Sequence, residues 1–294
     1  MNLDFSGDVI AQAVVSGIML GGLFALISIG LTLMWGVMKI INFAQGEFLM
    51  VGLYVAYFLV AWGHVDPYIT ILVTVPFMFF FGIGVFRLTI SPILKDALLN
   101  QILLTVGLML VLQNLALGFF SADVMSVRTR YSTWKFDVGP VVIGVPQLIA
   151  LFGSVICTLA VWYFLKTTES GRAIRASAQN PTAATLMGID VPRTYMLAVG
   201  ISSATLGFAA SLMIPFYYTS PTVGVFLSLI MFIVIILGGI GNYMGCLLGG
   251  LIIGLAEAVG AAVFPGSLSR VFMFTIFILF LLFRPQGILS RRPT

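Results

Sequence analysis

The sequence predicts an all-α, polytopic bundle of transmembrane helices, and three observations predict it. Charged residues make up 8% of the 294-residue chain and hydrophobic residues 60%, whereas soluble globular chains carry roughly a quarter charged residues. Apolar runs fill most of the sequence, and crossing a hydrocarbon core of about 30 Å takes about 20 such residues as a helix. Because lipid offers the backbone no hydrogen-bond partners, a chain of long apolar runs crosses it as helices.

Taken in order, the runs are 9–35, 43–61, 68–90, 97–119, 144–165, 195–217, 225–240, 246–264 and 270–284. They make nine spans within a range of about 8 to 10, in a single transmembrane domain over 1–294. The first run is longer than one perpendicular helix needs, and Gly21, Gly22 and Gly30 are positioned to break or tilt it. It is predicted to stay in the protein, because Asp4 and Asp8 stand where a cleavable signal would carry Lys or Arg. Gly17 and Gly21, Gly245 and Gly249, and Gly250 and Gly254 are each four apart, a spacing that lets helix backbones approach in lipid. Packing within the bundle is the primary reading of these pairs, with a contact to a second subunit as the alternative.

Orientation follows from the cations. With the 166–194 loop cytoplasmic, Lys39, Arg87, Lys95, Lys166, Arg172, Arg175, Arg193, Arg284, Arg291 and Arg292 lie inside, against Arg128, Arg130, Lys135 and Arg270 outside. This bias puts the N-terminus outside and the C-terminus inside. It also accounts for the pI of about 9.2 by topology, with no nucleic-acid partner required.

The loop itself has the grammar of two short helices. Arg172 and Arg175 fall on one face of the first, between Gly171 and Gln179. Asn180-Pro181 then restarts the chain as N-cap and first helical residue, and Gly188 stands where a C-terminal glycine ends a helix. The second helix, 182–187, carries Leu186 and Met187 as its sizeable apolar side chains. Such a helix suits the groove of a soluble partner; the bland alternative is a segment lying on lipid headgroups.

Gly171-Arg172-x-x-Arg175-Ala176-x-x-x-Asn180-x-x-x-Ala184-x-x-x-Gly188-Ile189 resembles the coupling-loop signature of branched-chain (hydrophobic) amino acid ABC importer permeases. The block from Gly30 to Met50, with Asn42-Phe-Ala-Gln-Gly-Glu47, is similar to that family's N-terminal signature. Leu237-Gly-Gly-Ile-Gly-Asn-Tyr-Met-Gly245 and the tail Phe283-Arg-Pro-Gln-Gly-Ile288 follow in the family's order, so the resemblance spans nearly the whole chain and points to the H-type permease. Gln45 replaces a frequent His, and Asn180 a frequent acidic residue. The resemblance implies the ABC importer permease fold, a bacterial inner-membrane location, and coupling to an ATPase through Gly171, Arg172, Arg175, Ala176, Ala184, Leu186, Met187 and Gly188. It further implies a second related permease, two cytoplasmic ATPases that use ATP and Mg, and a periplasmic solute-binding protein. This chain has no Gly-Lys dipeptide and so no phosphate-cradling G-x-x-x-x-G-K-[ST], and it carries no cofactor of its own by this reading.

Two carboxylates lie inside apolar runs, Glu47 and Glu257, and a charge at membrane depth faces a cavity or a partner. With Asn42, Gln45 and Asn242 they are the candidates for the translocation path or for helix turns, and the run from Asn42 to Glu47 has the features of a discontinuous helix whose amides suit a solute carboxylate. The outer loop 120–143 carries Arg128, Arg130, Tyr131, Trp134 and Lys135, a set suited to docking a receptor or to interfacial anchoring. Cys157 and Cys246 read as packing residues, and His64 as a loop residue without a second metal ligand nearby. With one histidine there is no Ser/His, Cys/His or His-rich metal constellation, which disfavours a membrane enzyme. The function that the resemblance and these residues point to is a subunit forming part of the path for branched-chain or other hydrophobic amino acids. Urea, short amides or small aromatic acids are the alternative solutes, and the rival class is a proton-coupled carrier that uses Glu47 and Glu257.

Overall fold

A computed structural model describes residues 7–94, 96–127, 129–264 and 268–289. The apolar helices are α1 (Gly7–Met38), α2 (Gln45–Ala61), α3 (Ile71–Val85) and α4 (Leu98–Phe120), followed by a hairpin of β1 (Lys135–Val138) and β2 (Val141–Gly144). Then come α5 (Val145–Thr167), the short polar α6 (Glu169–Gln179) and α7 (Pro181–Leu186), and α8 (Val191–Met213), α9 (Val223–Gly238), α10 (Tyr243–Val263) and α11 (Leu268–Phe283). Six are long enough to cross a membrane, α3 together with the π and 3-10 turns that carry it on to Ile93, while α2, α9 and α11 are shorter apolar helices. Among the described residues the nine predicted spans thus correspond to nine apolar helices, in an all-α membrane bundle.

The packing runs through α1. Its Gly17 and Gly21 face Leu255 and Leu251 of antiparallel α10, and a Cβ on Gly21 would stand 2.6 Å from the Leu251 Cα. Gly250 and Gly254 return the contact against Ala25 and Gly21, so these glycine pairs are used within the chain. Gly22 lies on Leu151 of α5 and Gly30 on Ser202 of α8. The expectation that Gly21, Gly22 and Gly30 break the first span is therefore corrected: α1 is one unbroken 32-residue helix. Its length, about 48 Å at 1.5 Å per residue, is held by neighbours on several sides, and small residues serve close approach there.

The outer loop also differs from a plain loop. Lys135 to Val138 pairs antiparallel with Val141 to Gly144 around Gly139, whose φ is +61°. Gln12 of α1 ties this hairpin down, donating to the Val142 carbonyl at 3.1 Å and accepting from the Val142 amide at 2.7 Å. The hairpin marks one end of the bundle, and α6–α7 mark the other. The helices alternate between these ends, so the start of α1 and the end of α11 lie at opposite ends.

The α2 helix does not start at the end of the bundle. Gln45 donates to Ser202 at 2.9 Å, and Ser202 donates to the Gly30 carbonyl at 2.7 Å. Gly30 lies eight residues before the end of α1, which is about 12 Å along the helix. Residues 39–44 therefore run from the α6–α7 end into the interior before helix resumes. The α2 helix thus begins part-way along α1, after a non-helical stretch that enters the bundle.

Candidate functional site

Backbone at membrane depth outside a helix needs partners from elsewhere. At the α2 start they come from the turn itself and from α4 and α9. Asn42 Oδ1 accepts from the Ala44 amide at 3.1 Å, and its Nδ2 donates to Gln45 at 3.0 Å. Ser228 of α9 accepts from the Gly46 amide at 2.9 Å and donates to the Phe43 carbonyl at 3.3 Å, while Thr105 of α4 donates to the Ile41 carbonyl at 3.1 Å. The Gln45 amide donates to the Asn42 carbonyl. The Gln45 and Gly46 amides of the first turn are thus already engaged within the chain and are not open to a solute carboxylate. Ser202, Ser228 and Thr105 escape a reading of the sequence because serine and threonine are frequent in apolar helices, where they bond back to their own turn.

Glu47 is fully buried beside this turn, and both of its carboxylate oxygens lack a hydrogen-bond partner. Its carboxylate lies against Gly224, where a Cβ would stand 2.6 Å from Oε1 and Oε2. That places the negative charge at the amino end of α9 as well as in the first turn of α2, both favourable for an anion.

Asn242 sits elsewhere, at the α6–α7 end. It caps α10 by accepting from the Gly245 amide at 2.9 Å and donates to the Leu289 carbonyl at 2.8 Å. Ile288 donates its amide to Leu237 at 2.9 Å, and Gly287 stacks on Gly239, whose φ of +100° requires glycine. The Leu237–Gly245 block and the 283–288 tail, separate in the sequence, thus close one joint.

At the same end, α6 and α7 form the polar projection. Thr168 caps α6 by accepting from the Gly171 amide at 2.9 Å, and Gly171 itself packs against Phe164 and Leu165 of α5. Ile174 and Ser177 are buried on the inner face, Ala176 is half-buried, and Arg172 and Arg175 are exposed. Arg172 reaches Glu169 at 3.7 Å, a surface pair that adds little. Asn180 caps α7 by accepting from the Ala183 amide at 3.0 Å, Ala184 turns inward, and Gly188 ends the turn with φ +84°. Leu186 and Met187 are left 84% and 82% exposed, two apolar tips on a polar projection.

At the hairpin end, Tyr131 donates to the Asp66 carboxylate at 2.7 Å and packs edge-on to Tyr68 and Trp134. The bond to Asp66 pushes the Tyr131 phenol above its ordinary pKa. Trp134, Arg130 and Lys135 are exposed beside it, and Arg128 lies outside the described residues, as do Asp4, Lys95, Arg291 and Arg292. Behind the hairpin opens a cavity of ≈ 910 Å³ between α1, α5 and α10, and Glu257 lines it. Glu257 is not brought to the Asn42–Glu47 turn: it follows Gly254, which packs on Gly17 and Gly21 of α1, whereas the turn is tied through Ser202 to the level of Gly30. Gln12 and Gln147 of this cavity were not singled out in the sequence; a glutamine inside the first turns of an apolar run is the signal that marks them. Cys157 and Cys246 are buried and free.

The family described as branched-chain amino acid transport system permease components matches residues 13–281. The chain is 30% identical to the high-affinity branched-chain amino acid transport system permease protein BraD of Pseudomonas aeruginosa, over 95% of each chain. It is 31% identical to the permease protein LivH of Escherichia coli K12, also over 95% of each. A probable LivH from Methanocaldococcus jannaschii is 29% identical, over 92% of this chain and 90% of that one. No solved structure matches the chain significantly.

Proposed function

The chain belongs to the family of branched-chain amino acid transport permease components, so it is a multi-pass membrane subunit of an ABC importer, and from that premise we propose how it works. It pairs with a second related permease, rests on two cytoplasmic ATPases that hydrolyse ATP with Mg, and receives its solute from a periplasmic binding protein. The solute is a branched-chain amino acid, as the relatives' names state for them, or another hydrophobic amino acid. The α6–α7 end faces the cytoplasm and the hairpin end the periplasm, which puts Lys166, Arg172, Arg175, Arg193 and Arg284 on the inside as the charge rule requires.

One observation carries the coupling role: a polar projection that holds Leu186 and Met187 almost fully in water. An exposed apolar pair on a short, well-capped helix is costly unless a partner covers it. The ATPase is that partner, with Arg172 and Arg175 at the rim and Gly188 setting the angle at which α7 meets α8. Arg130, Tyr131, Trp134 and Lys135 are the receptor-facing set.

The test is a pair of variants in the assembled importer. Gly188→Pro demands a φ near −65° where the chain needs +84°, and Arg172→Glu with Arg175→Glu reverses the rim charge. Each is expected to abolish ATPase copurification and receptor-stimulated ATP hydrolysis while the membrane bundle still folds. Unchanged hydrolysis in both, with the segment protected by lipid, would mean that it lies on the headgroups. Uptake of labelled leucine into vesicles loaded with ATP is expected to survive a protonophore. Preference for urea, short amides or small aromatic acids in the same assay would replace the solute and leave the machinery in place.

A further inference from the structure

The geometry points to a binding site, inside this membrane subunit, for a small solute that carries an ammonium group and an apolar tail. The site is the cavity at the hairpin end between α1, α5 and α10. It rests on the proposed import of hydrophobic amino acids and adds a place where the solute is held after it leaves the receptor.

The cavity of ≈ 910 Å³ is in the size range of ligand pockets. It runs from Asp8 and Lys135 at the hairpin down to Leu23, about 22 Å along α1 at 1.5 Å per residue. Its polar groups divide into two kinds. Gln12 is spent on the hairpin, since both ends of its amide bond to Val142 or Ser16. Glu257 Oε2 on α10 and Gln147 Oε1 on α5, by contrast, are buried with no hydrogen-bond partner.

Both unpartnered atoms are acceptors, and both belong to residues that line the same space. A buried acceptor without a donor is unfavourable, and one carrying charge more so. Arg270 of α11 acts on Glu257 electrostatically from its place over the Phe226 ring and leaves Oε2 without a donor, so a ligand that completes this wall brings N–H donors, and an alkylammonium has three on one atom. Ser16 and Tyr217 also line the space, and its apolar stretch, with Met19, Leu23 and Phe216, suits an aliphatic side chain. Lys135, at the mouth, is the cation available to the solute's carboxylate, while Asp8 stands on the same rim. A simple carboxylic acid lacks the ammonium and meets the Glu257 charge instead.

The experiment places a reporter cysteine in the wall by Ala261→Cys, in the complete importer reconstituted in proteoliposomes. The native Cys157 and Cys246 are buried, so a membrane-impermeant thiol reagent reads the new position. Leucine and leucinamide are both expected to slow labelling, and 4-methylpentanoate, which has the tail and carboxylate alone, is expected to leave it unchanged. Adding Glu257→Gln should raise the half-protecting leucine concentration about tenfold, as expected for loss of one charge-assisted hydrogen bond. If that variant does not assemble, Gln147→Leu carries the same comparison through the other acceptor. Leucine uptake measured on the same vesicles separates the two claims. Uptake without protection overturns this site and leaves the transport proposal standing, whereas protection without uptake keeps the site and removes the proposed solute. Equal protection by 4-methylpentanoate would also overturn it, because the ammonium would then play no part.

Discussion

Two of the chain's asparagine-led helix starts form a contrast, Asn180 on the surface and Asn42 inside the bundle. At the surface the restart is self-sufficient: Asn180 accepts from Ala183 at 3.0 Å, three residues away, and Gly188 closes the turn in open space. Inside, the restart borrows its partners. Gln45 needs Ser202, and Gly46 needs Ser228, at separations of 157 and 182 residues. A turn in water is stabilised by its own sequence, because water satisfies what the local caps do not. A turn at membrane depth is stabilised only by an assembled bundle, so it is coupled to the positions of α8 and α9.

That difference orders the expected effects of substitution. The largest should come from Gly46→Val, because the added carbons meet the Gly224 carbonyl and the Ser228 hydroxyl, one turn apart on α9, in a packed site. Overpacking of this kind costs about 1–3 kcal/mol or more, and here it also breaks the Gly46–Ser228 bond, so little assembled protein should survive a detergent extraction. A melt equal to wild type would show that the interior turn is not coupled to α9.

Glu47 comes next. Glu47→Leu removes a charge from the amino ends of α2 and α9 and is expected to lower the melting temperature, while Glu47→Gln keeps the volume and much of the hydrogen-bonding capacity and should melt near wild type. Normal melts for both, with slowed uptake, would move Glu47 from the scaffold to the solute path. The surface restart should be more forgiving. Gly188→Ala forces a Cβ into the left-handed region, at about 1–2 kcal/mol, and should weaken ATPase copurification without changing the melt of the membrane helices. Asn180→Ala removes one cap, worth about 1 kcal/mol, and should give the smallest loss, read as faster proteolysis of 167–190. If Asn180→Ala were as damaging as Gly46→Val, the contrast between the two restarts would be wrong.

The Tyr131–Asp66 bond offers a finer probe of the hairpin end. Tyr131→Phe removes one bond between half-buried groups, so it should register in receptor affinity more than in bundle stability.

Composition and local chemistry made much of this protein legible. The apolar runs locate nine helices to within a few residues, since hydrophobic length is the main constraint on a chain in lipid. The α6–α7 projection was readable down to its cap and its terminal glycine, because Asn180, Pro181 and Gly188 act within one turn of themselves. Other features were beyond reach. Gly21 and Gly22 read equally well as breaks or as contacts, and only the approach of Leu251 and Leu151 decides for contact. Glu257 and Gln147 stand on helices far apart in the sequence, and only the fold turns them toward one cavity. The physical reason is range. Burial and capping act through neighbours along the chain, so they leave a periodic or positional mark, whereas a shared cavity or a borrowed hydrogen bond is a relation between distant helices that is created when they pack.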